Sequence, residues 1–384
     1  MDWFTRKKDD PQKWIAQLND PSKRAQAAQE LLRFGPAAVD DLVEALAGRD
    51  AGLSESARIL LLRMGPAAVP RLSQLLGSTH PATRQWIADL LGDIRHPGAV
   101  PALTEAARGE YFTVRARAAS ALAKIGDASA VPTLAALLAD PEPTVRIAAA
   151  LAVGVFRAPA SIVPLSDLLL EDREIEVRQA AAQALAETRL PEAIPYFIES
   201  MADSFWWYER ENAAQPMLDA LTKFGADAVM PLTDALRHNE ATVRRSAAIV
   251  LGRIGDARAV EALGMTLYDL HDEVGRAAAE SLAGFGAAAF EVLAEATRHP
   301  ETGVRLRAVP ALTRIRDPRV LPLLAAMLRD QDRFVQKQVV QSLGELRDPR
   351  AAAALEPLAD DRSDRELSML AREALKKLTS ASAS

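Results

Sequence analysis

The sequence predicts an all-α fold: an α-solenoid of about twelve helical hairpins stacked into a curved superhelix. Three observations carry that expectation. A residue pattern recurs about every 31 positions along the 384-residue chain, and self-similarity at such a period marks a repeat protein. The apolar positions within each repeat fall at helical spacing, with no strand-like alternation. Hydrophobic residues make up 49% of the chain and aromatics only 5%, which suits a core of Ala, Leu and Val shared between closely packed helices.

The register is fixed by aligning each repeat on the position held by Val114. This offset zero is then Lys23, Leu53, Thr83, Val114, Val145, Val177, Ala213, Val243, Val274, Val304, Val335 and Leu367. Offset four is alanine in nine of the twelve repeats, and offset eight is leucine in all but one, where Val153 stands. Offset eleven is apolar except at Thr188. Offsets zero, four, eight and eleven lie on one face of a 3.6-residue helix. That helix, the second of each hairpin, is rich in strong helix formers, and its alanines admit a close neighbour. It often ends at a glycine such as Gly126, Gly255 or Gly286, where a left-handed cap carries no Cβ clash.

The first helix of the next hairpin follows. Asp127, Asp256, Asp317 and Asp348 stand where a carboxylate would accept its free first-turn amides. Pro101, Pro132, Pro164, Pro195, Pro231 and Pro322 recur in its first turn, where the missing N–H costs least. Apolar stripes such as Leu134, Leu137 and Leu138 come next. Twelve such units make a rod on the order of 100 Å long at ordinary helix-packing distances. The expected organisation is an N-terminal extension over 1–10, one continuous solenoid over 11–378, and a disordered small-residue tail over 379–384. Trp3, Phe4 and Trp14 are expected to cap the exposed end of the first hairpin.

The strings DPEPTVRIAAALAVG from Asp140, ATVRRSAAIVLGRIGDARAVEAL from Ala241 and RDPRVLPLLAAMLRDQDRFVQ from Arg316 resemble HEAT repeats of the phycobilisome-lyase type. The resemblance runs from Pro11 to about Leu378. It implies that the second helices line a concave face. Its implication for function is generic, because such repeats serve as binding scaffolds. Deoxyhypusine hydroxylases share HEAT-like repeats but carry His-Glu pairs that hold iron. This chain has no His-Glu dipeptide, and its five histidines, His80, His96, His238, His271 and His299, are expected in separate inter-helix loops.

With no cysteine, disulfides, thiolate metal sites and cysteine nucleophiles are excluded, and a reducing cytoplasm is the compatible compartment. No stretch approaches the ~20 apolar residues of a membrane span, and MDWFTRKKDD has no apolar run of the signal-peptide kind. A net charge of −6 speaks against a general polyanion binder. Phosphate loops, nucleophile elbows and His-Glu-x-x-His helices are absent, and no cofactor or metal site is expected.

Three features remain. Arginine recurs at offset one, as Arg24, Arg84, Arg115, Arg146, Arg178, Arg244 and Arg305. A cation opening a helix is disfavoured by the helix dipole, so an acid such as Asp140, Asp172 or Asp269 of the adjacent repeat is expected to hold it. Offset ten forms a mildly basic, solvent-facing stripe that includes Lys124, Lys223 and Arg253, interrupted by Asp93, Glu187 and Glu345. Finally, the spacing between repeats is 30–32 residues except from Val177 to Ala213, where it is 36. An aromatic insert near 203–212 occupies that interval. Phe205, Trp206, Trp207 and Tyr208 cluster there beside Arg210, after Tyr196 and Phe197. Adjacent tryptophans cannot both face one helical core, so the insert is either a surface anchor or a plug between repeats. Trp86, at offset three, projects from the same helix face as the basic stripe. Tyr111 and Phe112 lie in an inter-helix loop.

The expected function is a non-enzymatic scaffold. It binds another protein on its concave face and through Phe205, Trp206, Trp207, Tyr208, Arg210, Trp86, Lys124, Lys223 and Arg253. A bilin-lyase-like role as a tetrapyrrole chaperone is the alternative that the resemblance implies. Nucleic-acid binding, with the insert stacking on bases, is a third reading that the acidic charge disfavours.

Overall fold

The computed structural model describes residues 10–78, 80–203, 206, 212–361 and 363–381. They contain helices and no strand, and among them the helices pair into twelve hairpins. The chain divides into two compact units, 1–193 and 194–384, with six hairpins each. Where periodicity alone suggests one continuous domain, the boundary falls inside the long 177–213 interval.

In the first unit the hairpins are α1 (Pro11–Ile15) with α2 (Arg24–Phe34), α3 (Val39–Ala47) with α4 (Ala51–Met64), and α5 (Val69–Ser78) with α6 (Pro81–Ile94). Then come α7 (Val100–Ala106) with α8 (Phe112–Ile125), α9 (Val131–Leu137) with α10 (Pro143–Val155), and α11 (Ile162–Glu171) with α12 (Ile175–Thr188). In the second unit they are α13 (Ile194–Ser200) with α14 (Gln215–Thr222), α15 (Ala226–Ala235) with α16 (Ala241–Ile254), and α17 (Val260–Thr266) with α18 (Asp272–Gly284). The last three are α19 (Phe290–Ala296) with α20 (Thr302–Arg314), α21 (Val320–Met327) with α22 (Arg333–Glu345), and α23 (Ala352–Asp360) with α24 (Arg365–Ala381). Within each unit every even-numbered helix packs on its odd-numbered partner and on the even-numbered helices before and after it.

The register of the sequence is the register of the core. Every offset-four side chain, from Ala27 to Ala371, is fully buried, and offset eight is buried from Leu31 to Leu343. Each buried leucine of that row contributes about 1.5–3 kcal/mol relative to exposure. At offset zero Lys23 is exposed, because it stands outside α2, at its N-cap.

Close approach of the even-numbered helices rests on a second periodicity that the apolar pattern hides. Offset nine is glycine in four repeats. A Cβ on Gly92 would lie 2.8 Å from the Ala121 Cα, one on Gly154 2.8 Å from the Ala184 Cα, and one on Gly344 2.9 Å from the Ala374 Cα. Gly252 faces Ser281 in the same way. The partner always sits at offset seven of the next hairpin, so backbones touch where a side chain would hold them apart.

Between hairpins the structure inserts a short 3-10 turn not expected from the pattern, such as Ala128–Ala130. Asp127, Asp256 and Asp348 cap that turn, each accepting the amide two residues on, rather than the α-helix itself. Gly126 and Gly255 close α8 and α16 in the left-handed region as expected. At the C-terminal end α24 runs through Ala381, so Thr379 to Ala381 are helical where a disordered tail was expected. Trp14 is half-buried with Lys13 5.5 Å from its ring, while Trp3 and Phe4 lie outside the described residues.

Candidate functional site

The offset-one arginines belong to the architecture. Arg115 Nε donates to Asp140 Oδ2 at 2.7 Å and Nη2 to Oδ1 at 2.9 Å, and its Nη1 donates to the Gly109 and Glu110 carbonyls at the end of its own first helix. Arg146 holds Asp172, and Arg244 holds Asp269, in the same bidentate way. Arg305 does so with Asp330. Each acid belongs to the next hairpin and in turn accepts the amide two residues beyond it. Arg24, Arg84 and Arg178 donate to the carbonyls of Leu18, Gly77 and Asp172. Burial alone would push the Asp140 and Asp269 carboxyls up, but the arginine and amide hydrogen bonds hold both below the ordinary carboxylate value. A fork that pairs a carboxylate and two carbonyls at once is guanidinium chemistry that lysine cannot reproduce.

With the ladder set aside, the even-helix face of the first unit carries a cavity of about 210 Å³ between α4, α6 and α8. Trp86 lies on its rim, 47% exposed. Asp93 takes Arg58 Nη2 at 2.9 Å and Lys124 Nζ at 2.8 Å. Asp89, one turn after Trp86, faces Arg117 Nη1 at 3.5 Å. Burial pushes the Asp89 carboxyl above its usual value, opposed by Arg117 and Lys124. Exposed apolar side chains stand on the even helices to either side, at Ile59 on α4 and at Leu151 and Val155 on α10. Trp86 and Lys124 are thus brought to one site. Asp89 was not anticipated, because Asp219, Glu280 and Glu373 hold the same offset six and nothing in the pattern marks this one as half-buried.

The remaining expected site residues are scattered. Arg253 is exposed but held by Asp219 at 2.8 Å and Gln215 at 2.6 Å. Lys223 is exposed just beyond α14. The basic stripe is therefore interlaced with acids of neighbouring hairpins at Lys124 and Arg253. Of the two expectations for the insert, Trp206 takes the plug rather than the surface anchor: it is 1% exposed, its ring belongs to the core, and it is not available as a surface contact. Its indole N–H has no hydrogen-bond partner among the described residues. Nearby, Phe197 meets Phe224 edge-on at 5.7 Å. Phe205, Trp207, Tyr208 and Arg210 lie outside the described residues. Tyr111 and Phe112 are exposed, with Arg84 6.0 Å from the Tyr111 centroid.

The five histidines occupy separate loops, and four serve as caps. His80, His96, His238 and His299 each accept, through Nδ1, the backbone N–H two residues on. Among the described residues no cluster of His, Asp and Glu is arranged to hold a metal ion, and no helix is long and apolar enough to cross a membrane.

The family model for HEAT repeats matches residues 53–123, 109–186, 135–217, 216–283 and 290–376. No curated protein sequence matches the chain. Among solved structures it is similar to Kap121p bound to Ste12p, with a TM-score of 0.59 and 12% identity over 97% of this chain and 48% of that one. It is also similar to Kap121p bound to Pho4p, with a TM-score of 0.57 and 12% identity over 97% and 51%. The chain therefore spans about half the length of that karyopherin, and the likeness is one of fold. Human deoxyhypusine hydroxylase aligns at 22% identity over 67% of this chain and 97% of that one, with a TM-score of 0.31. With its matched segments covering most of the sequence and its hairpins stacked in one register, this chain belongs to the HEAT-repeat family.

Proposed function

We propose that the chain is a non-enzymatic scaffold that binds another protein on the face formed by its even-numbered helices. The observation that supports this reading most is Trp86, a large ring left half-exposed on a helix whose other rows are buried or paired. It stands above a charged cavity, and exposed apolar side chains lie on the same row of helices, at Ile59 of α4 and at Leu151 and Val155 of α10. An exposed aromatic beside arginines is the composition of an interaction hot spot. The Kap121p structures in complex with Pho4p and Ste12p give the fold precedent.

The test is proximity cross-linking from a photoreactive group at Ser56 or Ser120, in cells, for the native chain and for Trp86→Ala and Leu151→Glu. Loss of one cross-linked protein in both variants, with helicity unchanged, is the expected result. A cross-linking pattern identical in all three chains would sink the reading. The finer relation to the phycobilisome-lyase type rests on the strings from Asp140, Ala241 and Arg316. A bilin titration that shifts the pigment's visible spectrum would support it.

A further inference from the structure

A second cavity, of about 460 Å³, opens in the second unit between α18 and α20. It forms where the arginine ladder is interrupted. Offset one of α18 is Gly275, and the Arg307 guanidinium from the next hairpin occupies the space that a side chain there would take: a Cβ would lie 2.8 Å from the Arg307 Cζ and 3.0 Å from the Leu267 carbonyl oxygen. Arg307 is thus an arginine outside the repeat's rule, and it is only 7% exposed. Its Nε donates to the Gly303 carbonyl at 3.1 Å, and its Nη1 stands 3.7 Å from Asp272 with no hydrogen-bond acceptor. A buried guanidinium with an unused N–H is a costly arrangement, and an anion held in the cleft that this side chain lines offsets part of the cost electrostatically.

The rest of the lining fits an acidic guest. Arg276 pairs closely with Asp272 and neutralises it. Arg307 and Arg314 then oppose Glu280 alone, leaving one net positive charge. The floor is apolar, from Leu306 and Pro310. Pro310 sits inside α20 and lacks an N–H, so the Leu306 carbonyl loses its helical donor and is left as an acceptor for a guest's N–H.

We propose that the α18–α20 cleft binds an acidic segment of a protein partner. One carboxylate meets Arg307 and Arg314, and the apolar residue beside it covers Leu306 and Pro310. This rests on the scaffold reading above and names the partner's chemistry at a site remote in sequence from Trp86.

The probe is a short fluorescein-labelled Glu/Leu peptide, read by anisotropy against its Gln/Leu and Lys/Leu counterparts. The Glu/Leu peptide binds, more weakly as salt rises, and the Gln/Leu peptide binds about tenfold more weakly. Arg314→Gln weakens the Glu/Leu peptide by a similar factor, and Arg314→Lys recovers part of it. Arg307→Gln abolishes binding, with circular dichroism to confirm that the helices persist. Because Arg314 is exposed, its variants remain informative even if Arg307→Gln unfolds locally. Equal binding of the Glu/Leu and Gln/Leu peptides, no binding of the Glu/Leu peptide, or an unaffected Arg314→Gln overturns the proposal. Failure here alongside a Trp86-dependent cross-link leaves the scaffold standing. An intact acidic-peptide site with no Trp86 dependence removes the first-unit site and keeps the cleft.

Discussion

The Arg305–Asp330 rung offers the most direct measurement of what the ladder contributes. Arg305 is 4% exposed on its side chain and Asp330 9%, so the pair is nearly dry. Arg305 makes two bonds of 2.9 Å to the carboxylate and two more of 2.9 Å to the His299 and Pro300 carbonyls. Arg305→Met keeps the stem but strands a buried carboxylate and two loop carbonyls. Removing one member of such a pair costs about 3–5 kcal/mol. Asp330→Asn keeps the shape and the Asp332 amide contact and is expected to cost less, about 2 kcal/mol. The double variant should fall short of the sum by about 1–3 kcal/mol, because each single change already breaks the same contact. By contrast Arg350→Met, in a pair whose arginine is 69% exposed, should leave stability almost unchanged. Urea unfolding followed by circular dichroism gives the differences, and hydrogen exchange shows whether α20 to α22 open first. An Arg305→Met cost no larger than that of Arg350→Met, or strict additivity in the cycle, would refute a structural ladder.

Three further outcomes follow from the same contacts. Gly154→Ala should destabilise the first unit by about 1–3 kcal/mol through overpacking on Ala184, whereas Gly284→Ala, with open space around it, should be neutral or stabilising in thermal melts. Asp140 has a folded pKa below its ordinary 3.8, so its contribution is present above that value and is lost as pH falls through the folded one. Asp140→Asn should therefore lower stability at neutral pH and converge with the native chain in acid. Asp89 has the opposite sign. Its raised pKa means the folded chain takes up a proton between 3.8 and the higher folded value, so stability falls as pH rises through that window. Asp89→Asn should raise the melting temperature more at about pH 7 than at about pH 4.

Periodicity alone settled the fold because in a solenoid each hairpin packs only on its neighbours, and contact at a fixed sequence separation is what a repeat records. The buried row from Ala27 to Ala371 and the ladder acids Asp140, Asp172 and Asp269 were legible for that reason. The division into two units was not expected from the periodicity, although it falls inside the one interval that breaks the spacing. What depended on the far side of a contact was not legible. The glycines at offset nine read as weak helix formers until Ala121, Ala184 and Ala374 were seen against them. Whether Trp206 anchors a partner or plugs the core was open in the sequence, and only the fold shows its ring enclosed. Asp89 looked like an ordinary exposed acid, and only burial beside Trp86 distinguishes it. Arg307 is explained only by the missing side chain at Gly275, on a helix one hairpin earlier. The sequence determined the helical hairpins, their buried rows and the arginine ladder, since their recurrence is visible within the chain itself. Tertiary structure decided the exceptions, because whether a given ring or charge is enclosed depends on side chains contributed by another helix.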